Sequence, residues 1–455
     1  MSIQTINPAT GKNLAQYDEM QDAEINDFVN KSHEAFVHWR EKSFSHRSQL
    51  MTGMANLLRQ RKRELAVLIA SEMGKPVTQG IGEIEKCAWL CEHYAENTES
   101  YLQPKLVKTE LTKSMVCYQP LGVILAIMPW NFPFWQVYRC AVPALMAGNA
   151  IILKHAPITT GCGQEIYKLF ADADFPGFLF QHAIADNDVA AGLIAHKLIR
   201  GLSFTGSDKA GRIVASRAAE HLKKTVLELG GNDPYLVLED ADIDLAAESI
   251  ISSRLNNCGQ VCIAAKRVIA HQAIYDELLA RLQNLMKRYK MNSPLDEDAN
   301  LGPMAREDLR NNIHEQVLMS IREGAKLMAG GEIPDGAGFY YPPTLLADVK
   351  PGMTAFEEEL FGPVVVIVRA KSEKEAIQLA NDSRFGLAGA VFTRDIERGE
   401  EIARNQLEVG TCCINTFVAS DPRLPFGGIK NSGYGRELSR EGLLEFVNIK
   451  TIGIR

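Results

Sequence analysis

A cysteine in a polar, glycine-containing stretch is a candidate nucleophile, and Gly259-Gln260-Val261-Cys262 supplies one, with Lys266 and Arg267 close behind. Neighbouring positive charge lowers a thiol's pKa, and the thiolate is the reactive form. A buried, inert thiol is the alternative. Glu228-Leu229-Gly230-Gly231 closes the apolar run Thr225–Leu229 with a carboxylate and a glycine pair. At the carboxyl end of a strand such a Glu is a candidate general base, or else the partner of a surface cation. Gly206-Ser207-Asp208-Lys209-Ala210-Gly211 follows a candidate strand and opens a candidate helix, where free N–H groups attract phosphate. It matches neither the P-loop nor the usual dinucleotide fingerprint, and an ordinary turn would read the same way. Pro129-Trp130-Asn131-Phe132-Pro133 brings an amide donor ahead of a helix, and Trp135 and Arg139 share one face of that helix. Plain helix packing with a solvated Arg is the alternative there.

These residues need elements to hold them. Short apolar runs recur every 20 to 30 residues at Val123–Met128, Ala150–Leu153, Phe180–Ile184, Leu202–Phe204 and Thr225–Leu229, with room for helices between most of them. That rhythm predicts βαβ units around a parallel sheet. A second series starts near Tyr235, with strands at Arg267–Ala270, Val364–Arg369, Ala388–Phe392 and Gly410–Ile414. Its helices are expected at Ala273–Arg288, Glu373–Asn381 and Asp395–Asn405. Before both, Thr52–Met73 has the spacing of an amphipathic helix, stopped by Gly74 and Pro76. The stretch from Pro104 to Pro120 fits an exposed β-ribbon.

With 455 residues, 46% of them hydrophobic, the chain can build two or three domains with full cores. A net charge of −7 without long blocks of one sign gives no footprint for nucleic acid or an anionic membrane, so a small molecule is the expected partner. Nine scattered cysteines exclude a disulfide scaffold and point to a reducing, cytoplasmic compartment. No apolar stretch approaches the ~20 residues of a membrane helix, and the polar N-terminus does not read as a secretory signal. Cys258 with Cys262, and Cys87 with Cys91 beside His93, lack zinc-finger spacing, so no metal site is expected.

Taken together, these segments resemble the aldehyde dehydrogenase superfamily along nearly the whole chain. The resemblance rests on Asn7-Pro8-Ala9-Thr10-Gly11, the segments at 129–133, 204–207, 228–231 and 259–262, Glu358-Glu359-Leu360-Phe361-Gly362-Pro363, and Pro425 to Gly433. It implies an α/β fold with a Rossmann-like NAD(P)-binding domain (1–102 and 121–230), an α/β catalytic domain (231–430), and an oligomerisation ribbon with the C-terminal tail (103–120 and 431–455). A homodimer or homotetramer follows, in which the ribbon pairs with a strand at Asn448–Arg455 and a partner covers the exposed edge.

The resemblance also implies roles. Cys262 would attack an aldehyde, Asn131 and the Cys262 N–H would hold the oxyanion, and Glu228 would activate water against the thioester. Trp130, Lys154, Gly206, Ser207, Glu359 and Phe361 would bind NAD or NADP. Pro157 stands where many NAD-preferring members carry a Glu that repels a 2′-phosphate, so NADP is expected to be accepted. Ile127 to Trp130, Lys154 to Pro157 and the tail near Ser420 resemble most the short bacterial succinate-semialdehyde dehydrogenases. Arg139, Trp135 and Ser420 would then bind substrate, with Arg139 pairing its carboxylate. The second arginine of that site, six residues before the cysteine, is replaced by Asn256, with Arg254 two residues away. Broad specificity for small, medium-chain or aromatic aldehydes is therefore the alternative. A coenzyme-A-acylating enzyme would not need Glu228, and a non-catalytic structural protein would need none of these residues. Cys258 is also a candidate for a reversible disulfide with Cys262.

Overall fold

Val123–Met128 is apolar throughout and therefore needs cover on both faces, as an inner strand of a parallel sheet has. In the computed structural model, which describes residues 2–455, it lies inside a six-stranded sheet. The order across the sheet is Gly433–Tyr434, Lys224–Glu228, Ile199–Thr205, Val123–Met128, Ala150–His155 and Phe180–His182. All pairs are parallel except that of the two-residue edge strand. The chain order reverses between Val123–Met128 and Ile199–Thr205, and ligands of open α/β sheets bind in the crevice at such a point. Asn131 follows the first of these strands and Ser207 the second.

Helices Ile25–Trp39, Phe44–Met73 and Val77–Tyr101 pack onto this sheet, sharing its hydrophobic core. The helix expected from Thr52 begins earlier, because the Ser43 hydroxyl caps its first turn by accepting from the His46 N–H at 3.2 Å. It stops at Gly74, whose φ of 81° and close approach to Pro303 leave no room for a side chain.

The second sheet has seven strands in the order Lys326–Ala329, Thr344–Val349, Val364–Ala370, Arg267–His271, Pro234–Val237, Ala388–Phe392 and Thr411–Ile414. Only the first pair is antiparallel. The expected helices appear at Tyr275–Met286, Glu373–Asn381 and Ile396–Asn405.

A third, three-stranded sheet joins Lys105–Val107, Lys113–Pro120 and Val447–Ile454. The C-terminal strand runs antiparallel to the ribbon over eight pairs, from Val447 opposite Pro120 to Ile454 opposite Lys113. Leu106, Ile449 and Ile454 project from it into solvent. Before reaching this sheet the tail returns to the first one, where Gly433–Tyr434 pairs with Glu228 and Leu227. Among the described residues, no helix is long and apolar enough to cross a membrane.

Candidate active site

Cys262 sits in a loop that the preceding residues hold in an unusual shape. The helix Ile243–Leu255 ends in a short 3-10 turn in which Asn257, Cys258 and Gly259 all have positive φ, at 49°, 54° and 71°. Left-handed backbone at non-glycine residues persists only when its surroundings fix it. Here the Asn257 N–H donates to the Gln79 side chain (2.9 Å) and the Asn257 amide donates to the Asn131 carbonyl (2.8 Å). Gln260 spans the loop, its amide donating to the Asn257 carbonyl and its side-chain oxygen accepting from the Ala305 N–H. A Cβ at Gly259 would stand 2.1 Å from the Gly362 carbonyl oxygen, so this position admits glycine alone.

Two cavities meet at the Cys262 thiol. One, of about 260 Å³, is lined by Trp135, Arg139, Ser420, Phe426, Asn256 and Lys86 among others. The other, of about 250 Å³, is lined by Trp130, Asn131, Gly206, Ser207, Glu359 and Phe361. Cys262 and Gln136 are the only residues common to both walls. The residues expected to bind substrate thus gather on one side of the sulfur, and all those expected to bind cofactor but Lys154 gather on the other. Lys154 is buried at the end of Ala150–His155, outside both linings.

The second cavity sets a helix N-terminus opposite an aromatic pair. Ser207 caps the helix Asp208–Glu220, and the N-terminus of that helix opens beside it. Gly206 packs so closely on Phe204 that a Cβ would meet its ring at 2.6 Å. Trp130 and Phe361 meet edge to face at 5.9 Å. Glu359 is held by Lys266 at 2.8 Å and accepts from the Gly231 N–H at 3.2 Å.

Asn131 is buried, and its amide donates one hydrogen to the Gln260 carbonyl at 3.0 Å. A primary amide has two N–H donors, so the second remains for an oxygen beside Cys262. The loop carrying Asn131 is braced from below. Glu83 accepts from the N–H groups of Phe134 (2.9 Å) and Trp135 (3.0 Å) and is paired with the buried Lys75, whose ammonium lies 3.6 Å from the centre of the Phe132 ring.

Glu228 lines neither cavity. Its buried side chain lies toward Gly427, near Glu437, Arg139 and Arg436, and its Oε1 has no hydrogen-bond partner. Burial first, and the charge of Glu437 second, hold its carboxyl well above the usual carboxylate range.

Sequence reasoning took Lys266 and Arg267 as the charges that lower the Cys262 pKa; Lys266 does pull it down, Arg267 does not, and burial overrides both expectations. Arg267 is fully buried and donates to the carbonyls of Asn232, Leu379, Asp382 and Ala380. Lys266 donates to the Cys262 carbonyl oxygen and pairs with Glu359. Burial outweighs the attraction of Lys266 and Arg139 and pushes the thiol up to about 11. Cys258, expected as a disulfide partner, is buried in the second core with its Sγ 3.9 Å from the Met304 sulfur. Arg254 does not restore the missing arginine, because its guanidinium is bound to the carbonyls of Val364 and Leu360. Arg139 reaches the substrate side but is ion-paired with Glu437 and stacked on Phe426 at 4.7 Å. Lys86, Lys75 and Gln136 line the site and carried no local motif. Lys86 meets Ser420 across 334 positions of sequence.

The sequence pattern of the aldehyde dehydrogenase family matches residues 1–452. The chain belongs to that family. This aldehyde dehydrogenase is 45% identical over 454 residues, all of both chains, to a Synechocystis sp. protein named probable succinate-semialdehyde dehydrogenase, NADP(+). It is likewise 45% identical to the succinate semialdehyde dehydrogenase, NAD(P)+, Sad of Escherichia coli, over 98% of this chain and 97% of that one. Among solved structures it superposes with a TM-score of 0.97 on the succinic semialdehyde dehydrogenase from Streptococcus pyogenes in complex with NADP+, at 36% identity and 99% coverage of each chain.

Proposed function

We propose that this aldehyde dehydrogenase oxidises succinate semialdehyde to succinate, with NADP as an accepted cofactor and NAD as a second. The observation that carries this reading is the position of Cys262 between a cavity with cationic and hydroxyl groups and a cavity built like a dinucleotide cradle. The names of the relatives support the substrate and the cofactor. Pro157 supports NADP, since it places no carboxylate at the start of the 3-10 turn Pro157–Thr159 to repel a 2′-phosphate.

The Cys262 sulfur bonds to the aldehyde carbon, and its proton leaves to solvent or a base. The second Asn131 N–H and the Cys262 backbone N–H stabilise the charge that grows on the aldehyde oxygen. Ser207 and the helix N-terminus behind it, Lys154, Glu359, Trp130 and Phe361 would hold the dinucleotide, which when bound accepts the hydride of the carbonyl carbon. That loss leaves a thioester on Cys262. Glu228 then moves from its withdrawn position and takes a proton from water, which adds to the thioester carbon and releases carboxylic acid and thiol. Its Oε1 has no hydrogen bond to give up in moving. Hydrolysis by Glu228 also separates this reading from coenzyme-A acylation. Nine free thiols support a reducing, cytoplasmic setting, and the exposed apolar residues of the three-stranded sheet support a homodimer or homotetramer.

Initial rates on aldehydes of graded length, with and without a terminal carboxylate and with each cofactor, test the proposal. Succinate semialdehyde should give the highest kcat/KM. Equal values for butanal would favour broad specificity, and an inert NADP would overturn the cofactor reading.

A further inference from the structure

The cavity on the substrate side contains three cations, and two have a carboxylate beside them. Lys75 is closed by Glu83, and Arg139 by Glu437 with Phe426 against its face. The third is Lys86, on the helix Val77–Tyr101. Its ammonium donates to the Ser420 hydroxyl at 2.8 Å and stands 4.5 Å from the centre of the Trp135 ring. Among the described residues it forms no ion pair, and Asp421, the nearest acidic neighbour in the Ser420 loop, is taken by Arg423 at 2.6 Å. Asn256, in place of an arginine, adds no charge to the same wall.

A guanidinium beside one carboxylate still has donors left for a second. An ammonium with only a hydroxyl and a ring face for partners keeps donor hydrogens for a ligand. We propose that Lys86, with Ser420, receives the substrate's carboxylate beside Arg139. Trp135 fixes the Lys86 side chain, and the aldehyde end then lies toward Cys262. Lys86 thereby supplies the charge that Asn256 lacks. This assignment rests on the succinate semialdehyde reading and names the residue that selects for it.

Lys86→Met keeps the length of the side chain and removes the charge, and Lys86→Arg restores the charge. For Lys86→Met, kcat/KM on succinate semialdehyde should fall about 100-fold, mainly through KM, since a desolvated carboxylate loses its counter-ion. Its kcat/KM on butanal should stay within about 3-fold, which also shows that the variant is folded. Lys86→Arg should recover a large part of the loss on succinate semialdehyde. Equal losses on both aldehydes, or no loss on succinate semialdehyde, would overturn the assignment. If the wild-type enzyme itself prefers butanal, the substrate reading falls together with it. If the wild type prefers succinate semialdehyde and Lys86→Met does so equally, only the Lys86 assignment falls.

Discussion

At the scale of single residues, the site is a set of groups whose charges are withheld until needed. With its thiol pushed up to about 11, Cys262 is nearly all protonated at neutral pH in the ligand-free enzyme. Alkylation by iodoacetamide, followed by intact mass, should therefore accelerate about tenfold per pH unit from 7 to 10. A rate already flat at pH 7 would show a thiolate instead. Asn131→Ala should lower kcat about 100- to 1000-fold, as loss of an oxyanion donor does, with KM little changed. Glu228→Gln should produce a burst of reduced cofactor of one equivalent and then stall, leaving the protein heavier by the acyl group in mass spectra. Lys86 adds a pH signature of its own. Burial and the neighbouring Arg139 lower it to about 8, against the opposing pull of Cys87 and Glu83 on its own helix and of Asp421 beside Ser420. Its charge is present below that value and lost above it. The KM for succinate semialdehyde should therefore climb above pH 8 while that for butanal does not follow.

Secondary elements set these residues by contacts that sequence shows unevenly. The strands Val123–Met128 and Ala388–Phe392 were legible to the residue, because an inner parallel strand is apolar from end to end. Phe44–Met73 was legible as a helix but not its start, since Phe44 to Met51 pack through few apolar positions and depend on the Ser43 cap. Cys262, Glu228, Asn131 and Ser207 were visible because each lies in a short motif at an element's end. Lys86 and Glu437 were not, because one sits on a helix of mixed charge and both act across hundreds of residues. The brace under Asn131 has the same origin. Glu83→Gln would leave the buried Lys75 unpaired, and a loss of about 3 kcal/mol in urea unfolding is expected, reduced in the Lys75→Met/Glu83→Gln double variant. Gly259→Ala would force a Cβ onto the Gly362 carbonyl at positive φ, and should cost more than about 2 kcal/mol in the same measurement.

Across the whole molecule, the two large sheets have separate cores, and Cys262 packs against that of the first. The third sheet stands apart and turns Leu106, Ile449 and Ile454 to solvent. Ile449→Lys should shift the enzyme toward smaller assemblies in light scattering if that face is covered by another copy. The two cavities also meet at Cys262. An acyl group resting on the sulfur stoppers one vestibule and leaves the other alone, for they share only Cys262 and Gln136. Leu229 and Gly230, the residues next to Glu228, wall that other vestibule. In the proposed reaction both halves of the turnover would pass through the one sulfur atom at which these chambers meet.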